Sequence, residues 1–473
     1  MHVMKIVFQF FHFLARVSPL FHYYAMLGMR DGRRRERVLA PCVIVVALCI
    51  CFALVSTIVI TVIVEKNEDT AELIKDKTII KTKGKYYSNN CWVPEHRNSC
   101  APQFIVAGAM KCGTTSLWSY LLNHPQVLPL VNFRLDPKGA RTVLAEKEVR
   151  FFNDPGYKQL VAEYGTKKAF EGFLNLFDFI SPFPGEKNYN KITGEASPMY
   201  ICTPGVAKRI YSALPHAKII IMLRNPIDRA YSDFWFRKQL KIKSKDDFGV
   251  LFPSANSNSY DEIFQQCMES EMELVNYCKL RQWIDDFSLK QFQSFHSCYK
   301  NISKAIFAAQ SSDPICRPGT RLAHLCIPDV IRTSCQSHTL GYGLYVYQLY
   351  EWVQLFPPEN LLFIQSEEFY ENTSKTMSRI SQFLGIDPMD WDPITNKTYN
   401  IINPTSLYGS KLEVQTTGGK KGLQVGVSNT TSDYPPLDPT IRKHLLKLVR
   451  PFNVALVKLL GDPIFLGWNE DEN

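Results

Sequence analysis

Residues 104–127 read FIVAGAMKCGTTSLWSYLLNHPQV. A short apolar run, Phe104 to Gly108, has the length and composition of a buried parallel strand. A loop with Lys111, Gly113, Thr114, Thr115 and Ser116 follows and opens an amphipathic segment. Strand, glycine-containing loop and helix start together form an anion cradle, because free backbone N–H groups and the positive end of the helix dipole converge there. Gly113 lets the backbone approach the anion, and the three hydroxyls add donors in the first turn. Lys111 precedes the second glycine, whereas the nucleotide-triphosphate loop G-x-x-x-x-G-K-[ST] places its lysine after it. That order, with no metal-binding aspartate signature, argues against a kinase or NTPase. Lys111, at the front of the loop, is expected to point toward the group being transferred.

The same texture continues on both sides of this stretch. KIIIMLR (218–224) and LLFIQSEEF (361–369) are further strand-like runs, and segments 116–123, 226–239, 343–355, 374–384 and 438–460 have helical spacing. Alternation of this kind predicts an α/β fold, a P-loop-like parallel sheet flanked by helices. In IIIMLRNPIDRAYSDFWF (219–236), Arg224 ends a strand and Ser232 lies two turns into the helix that Pro226 opens. The carboxyl rim of an open α/β sheet is where ligands bind. Arg224 and Ser232 there suit a second phosphate.

Topology is read from the N-terminal part. Residues 42–64, CVIVVALCICFALVSTIVITVIV, carry no charge and exceed the ~20 apolar residues a membrane-spanning helix needs. Arg30, Arg33, Arg34, Arg35 and Arg37 precede them and a mostly acidic run follows, which places the N-terminus in the cytoplasm. A cleaved signal peptide is the weaker reading, since its apolar core is only ~7–15 residues. The expected layout is a cytoplasmic tail (1–41), a transmembrane helix (42–64), a stem (65–100) and a lumenal domain (101–473). Of the formal charge of +9, +5 falls within residues 1–41. Most of the basicity is therefore a topology signal, and the remainder suits an anionic partner. The apolar start of the chain is unusual for a cytoplasmic tail; Met26 and Met29 are alternative starts.

Thirteen cysteines fit an oxidising lumen. Cys267, Cys278, Cys298, Cys316, Cys326 and Cys335 cluster without a C-x-x-C pair, so residues 240–340 read as a disulfide-stapled insertion and not a zinc site. Cys91 and Cys100 are candidates for another bridge. Sequons at Asn301, Asn372, Asn396 and Asn429 all follow the apolar stretch.

KCGTTSL and LRNPIDRAYSDF together resemble the two signature segments of sulfotransferases that use 3′-phosphoadenosine 5′-phosphosulfate (PAPS). With the type II layout, the chain is similar to the Golgi carbohydrate branch of that family. The insertion and overall layout most resemble the N-acetylgalactosamine 4-sulfate 6-O-sulfotransferases. The resemblance implies roles for matching residues. Lys111, Cys112, Gly113, Thr114, Thr115 and Ser116 form the 5′-phosphosulfate loop, and Arg224 with Ser232 the 3′-phosphate clamp. AEKEVRFF (145–152) resembles the family's K-E-x-x-F-F segment, which makes Glu148 the general base. TTGGKKGLQ (416–424) resembles the late nucleotide loop, with Lys420, Lys421 and Gly422 as candidates. GEASPMY (194–200) resembles the substrate-cleft segment, and residues 338–356 the G-x-Y helix. The chain departs from the family pattern at Arg150, often histidine, and at Ala196, near an often-found lysine.

The implied activity is sulfuryl transfer from PAPS to a glycosaminoglycan hydroxyl, foremost the 6-hydroxyl of N-acetylgalactosamine 4-sulfate in chondroitin or dermatan sulfate. Heparan sulfate, another glycan or a protein tyrosine are alternative acceptors, and a catalytically silent glycan-binding membrane protein is the alternative outside catalysis. No metal is required. The expected partners are a sulfated glycosaminoglycan, the Golgi membrane and a second copy of the chain as a homodimer, with no nucleic acid. The bland readings stand beside these: Cys112 as a packing thiol, His124 as a helix-end residue, and Phe151 and Phe152 as core.

Overall fold

The computed structural model describes residues 82–130 (except 88 and 96), 147–243, 260–284, part of 291–301, 339–395 and 434–469. The apolar stretch 42–64, the tail, Lys420, Lys421, Gly422, Cys316, Cys326, Cys335, Asn396 and Asn429 lie outside them. Among the described residues no helix is long and apolar enough to cross a membrane.

Five strands form one parallel sheet in the order β4-β5-β3-β6-β7. They are β3 (Phe104–Gly108), β4 (Val127–Leu128), β5 (Ile192–Ala196), β6 (Lys218–Leu223) and β7 (Leu361–Gln365). β3 and β5 are buried at every position and β6 at all but its first. Helices on both faces of a parallel sheet account for such unbroken apolar runs. β5 is the exception in composition. Its Thr193 and Glu195 are buried, and Thr193 donates its hydroxyl to Leu128 O (3.2 Å). A Cβ at Gly194 would stand 2.4 Å from Phe104 O, so only glycine allows β5 to lie this close to β3.

The helices used below are α1 (Thr114–Leu121), α2 (Tyr157–Leu174), α3 (Val206–Ala213), α4 (Pro226–Lys243), α5 (Tyr260–Tyr277), α6 (Tyr345–Leu355), α7 (Ser366–Glu371), α8 (Thr373–Leu384) and α9 (Pro439–Leu460). From β3 the chain runs outward to β4, returns to β5, and then crosses to β6 and β7 on the other side. The strand order therefore reverses at β3, and the loops after β3 and β6 meet at the carboxyl rim, the position where open α/β sheets hold ligands.

Within residues 84–100, β1 (Gly84–Tyr86) pairs antiparallel with β2 (Trp92–Pro94), and Trp92 and Val93 are buried. Cys91–Cys100 is a disulfide, as the sequence suggested; it packs with Val93 and Ile180. The insertion also reaches the core. α5 buries Ile263, Phe264, Cys267, Met268, Glu271, Met272, Leu274 and Val275, a stripe at helical spacing. Cys278 and Cys298 are bridged, and Cys267 is also disulfide-bonded.

Candidate active site

The loop after β3 turns sharply at Lys111 and Gly113, whose φ angles are 69° and 89°. Gly113 caps α1 in the left-handed conformation, which favours glycine. A Cβ there would lie 2.6 Å from the Tyr370 hydroxyl of α7, and Tyr370 hydrogen-bonds Ser116. Ser366 at the start of α7 donates to Cys112 O (2.9 Å). α7, which follows the edge strand β7 at the same carboxyl rim, thus braces the loop. The Cys112 thiol is buried 3.7 Å from the Tyr345 hydroxyl, and its amide donates to Ala109 O (3.3 Å). Cys112 therefore packs the loop and is not placed by its side chain to touch an anion.

Lys111 Nζ stands 4.1 Å over the Phe236 ring of α4. Burial lowers its pKa to about 8; Asp233 opposes that shift, while Arg224 and Arg229 add to it. Arg224 follows β6 and donates from Nη1 to Lys111 O (3.5 Å), which joins the two loops. Its backbone is gripped by Tyr345 of α6: the phenol donates to Arg224 O (2.9 Å) and accepts from its N–H (3.4 Å). Glu367 of α7 accepts from the Asn225 N–H (2.8 Å). Ser232 is buried in α4, one residue before Asp233, which pairs with Arg229 at 3.8 Å with both side chains wholly buried. Lys111, Arg224 and Arg229 form a desolvated cationic group answered by Asp233, and such a group suits a polyanion.

The base candidate enters from another segment. Lys147 Nζ, buried, donates to Thr114 Oγ1 (3.2 Å) and Thr115 Oγ1 (2.9 Å) and lies 3.8 Å from Glu148 Oε1. Burial lowers the Lys147 pKa to about 8, with Glu148 opposing. Glu148 also accepts from Arg150 Nε at 3.0 Å. So Lys147 ties the hydroxyls of the anion loop to the neighbouring carboxylate, a contact between residues more than thirty positions apart. Sequence reasoning passed over Lys147, although it stands first in the K-E pair, and over Tyr345 and Glu367, which support the site from α6 and α7. The bland readings also find their places. His124 bridges Asp387 O (3.0 Å) and the Gln126 N–H (3.1 Å) at the end of α1, and Phe152 packs on Phe173 and Tyr200. Among the described residues no group of three or more His, Cys, Asp or Glu could hold a metal ion.

Comparison with known proteins adds the family. Membrane-associated sulfotransferase kil1 of Dictyostelium discoideum is 27% identical over 333 residues, covering 68% of this chain and 64% of that protein. Mouse bifunctional heparan sulfate N-deacetylase/N-sulfotransferase 4 is 25% identical over 381 residues, covering 79% of this chain and 32% of its own length. Mouse carbohydrate sulfotransferase 15 is 23% identical, covering 78% of this chain and 55% of its own. The chain thus spans about a third to two thirds of the length of these relatives. A sulfotransferase from Alicyclobacillus acidocaldarius aligns with a TM-score of 0.39 at 21% identity, over 78% of this chain and 99% of that one. Residues 101–401 match the sulfotransferase domain family, and the chain belongs to it.

Proposed function

We propose that the chain is a sulfotransferase that moves a sulfuryl group from PAPS to a glycosaminoglycan. The observation that carries this reading is the Lys147 bridge from Thr114 and Thr115 to Glu148, since it sets a candidate base beside a loop suited to a phosphosulfate. The donor supplies an activated sulfuryl group. The chain's part is positioning and charge stabilisation, as in phosphoryl transfer. The 109–116 loop orients the 5′ end, and Lys111 sets a cation where charge builds on the leaving oxygen. Arg224 and Ser232 hold the 3′-phosphate, and Lys420, Lys421 and Gly422 complete the nucleotide side. Glu148 takes the proton of the attacking acceptor group, a contribution of roughly 10²–10⁴-fold. Arg150 and Lys147 on either side keep that carboxylate oriented.

The acceptor we favour is the 6-hydroxyl of N-acetylgalactosamine 4-sulfate in chondroitin or dermatan sulfate, with residues 42–64 anchoring the enzyme in the Golgi membrane and the domain lumenal. A heparan sulfate acceptor is the second reading, favoured by the heparan sulfate enzyme aligned over 79% of this chain. The test is incubation of the full chain with sulfate-labelled PAPS and chondroitin sulfate A, dermatan sulfate and heparan sulfate. A labelled 4,6-disulfated N-acetylgalactosamine disaccharide supports the first reading, and label only in heparan sulfate moves the acceptor to the second. Binding of labelled donor without transfer to any of the three removes both acceptors.

A further inference from the structure

Glu195 lies at the end of β5, wholly buried beneath the segment that carries Glu148. Its carboxylate accepts from Ser197 Oγ (2.6 Å) at one oxygen and from Tyr200 OH (2.6 Å) at the other, and it also accepts from the Val149 N–H. Both hydroxyls are relays. Ser197 Oγ accepts from the Arg150 N–H (3.0 Å), and Tyr200 OH from the Phe152 N–H (3.3 Å). A further bond, Ala196 N–H to Lys147 O (3.1 Å), closes the set. Three backbone amides after Glu148 thus converge on one carboxylate, directly or through one hydroxyl, and the carbonyl before it is held by the same strand. Arg150 sits in the left-handed region (φ 56°), a conformation that non-glycine residues adopt at a cost and keep only when the surroundings impose it.

We propose that Glu195 is the positioning residue of this site: a buried anchor that sets the path of residues 148–152 and so aims the Glu148 carboxylate at the acceptor. The inference rests on Glu148 being the base. A buried carboxylate is costly unless each lone-pair direction is used, and here the donors it satisfies all belong to, or relay from, the Glu148 segment and the turn beneath it. Glutamine at 195 keeps the volume but replaces one acceptor oxygen with a donor, so one relay hydroxyl loses the acceptor for its proton.

The experiment is a cycle in the purified full chain: wild type, Glu148→Gln, Glu195→Gln and the double variant. Turnover is measured with PAPS and a mixture of chondroitin sulfate A, dermatan sulfate and heparan sulfate, and 3′-phosphoadenosine 5′-phosphate binding by calorimetry. Glu195→Gln is expected to lower kcat roughly tenfold or more, short of the roughly 10²–10⁴ of a general base, with nucleotide Kd within about twofold. Once Glu148 is Gln, adding Glu195→Gln should cost nothing further, because a residue acting through another has no effect when that other is gone. Ser197→Ala and Tyr200→Phe each remove one relay and leave the carboxylate in place. They should give smaller kcat losses in the same direction, and they carry the test if Glu195→Gln does not fold. Wild-type kcat in Glu195→Gln, or in both relay variants, overturns the inference alone, as do multiplicative losses in the double variant. Wild-type kcat in Glu148→Gln overturns the base assignment and this inference with it.

Discussion

The two halves of the site are built differently. The anion loop is one contiguous turn between β3 and α1, stiffened by Gly113 and braced by α7 and Arg224. The segment that carries the proposed base Glu148 is, over residues 147–150, outside any strand or helix before the short Phe151–Asn153 helical turn; β5 holds it by amides routed to Glu195. A loop that presents backbone N–H groups needs only local geometry, so it can be carried by a short motif. A carboxylate that must face a substrate needs a supporting shell, and that shell comes from wherever the fold supplies it. The halves meet at Lys147.

Removing the charge of the anion loop should have the largest effect. Lys111→Ala is expected to lower kcat by roughly 10²–10³-fold, the range for losing one transition-state donor; a loss of less than about tenfold would take Lys111 away from the leaving group. Arg224→Ala should mainly raise the KM for PAPS, by roughly tenfold or more, with kcat changed little. An unchanged KM would exclude Arg224 from the nucleotide side. Gly113→Ala probes the stiffness of the turn. Its φ of +89° and the approach of its Cβ to Tyr370 predict a stability loss of about 1–3 kcal/mol together with weaker donor binding, read by thermal melting and calorimetry. An unaltered melt would mean that the turn relaxes freely.

The smallest effect tests the junction. Burial holds the pKa of Lys147 at about 8, below its ordinary value of 10.5. The unfolded chain therefore binds more protons than the folded one between these values, and folding stability from this group rises with pH. The penalty of keeping it charged is fully present below pH 8 and fades as pH climbs from 8 toward 10. Buried Cys112 and Cys202, with raised pKa, act in the opposite direction, so the comparison is with Lys147→Met. Wild type should gain stability relative to Lys147→Met between pH 8 and 10 by denaturant melts. Parallel curves would show that Lys147 titrates normally.

The contrast between the halves also governs what was legible in the sequence. FIVAG is strand β3 residue for residue, and KIIIMLR ends one residue early because the Arg224 backbone is turned to Tyr345. LLFIQSEEF stops at Gln365, where Ser366 begins α7 and bonds the Cys112 carbonyl. β5 was not read as a strand, since Thr193, Gly194 and Glu195 lack an apolar pattern; their burial depends on partners from β4 and the base segment. α5 falls in the stretch that its polar run and clustered cysteines mark as an insertion, and its apolar stripe is buried. The anion loop could be read locally. Lys147, Glu195 and Tyr345 could not, because their roles exist only through contacts made across the fold.

The central claim is that Glu148 takes the proton of the acceptor as it attacks a donor held by the 109–116 loop. Its most direct test is single-turnover sulfate transfer by Glu148→Gln with PAPS saturating, beside nucleotide affinity for the same protein. The account predicts unchanged affinity and a transfer rate reduced roughly 10²-fold or more. Transfer at the wild-type rate would contradict it, and so would loss of nucleotide binding in step with transfer.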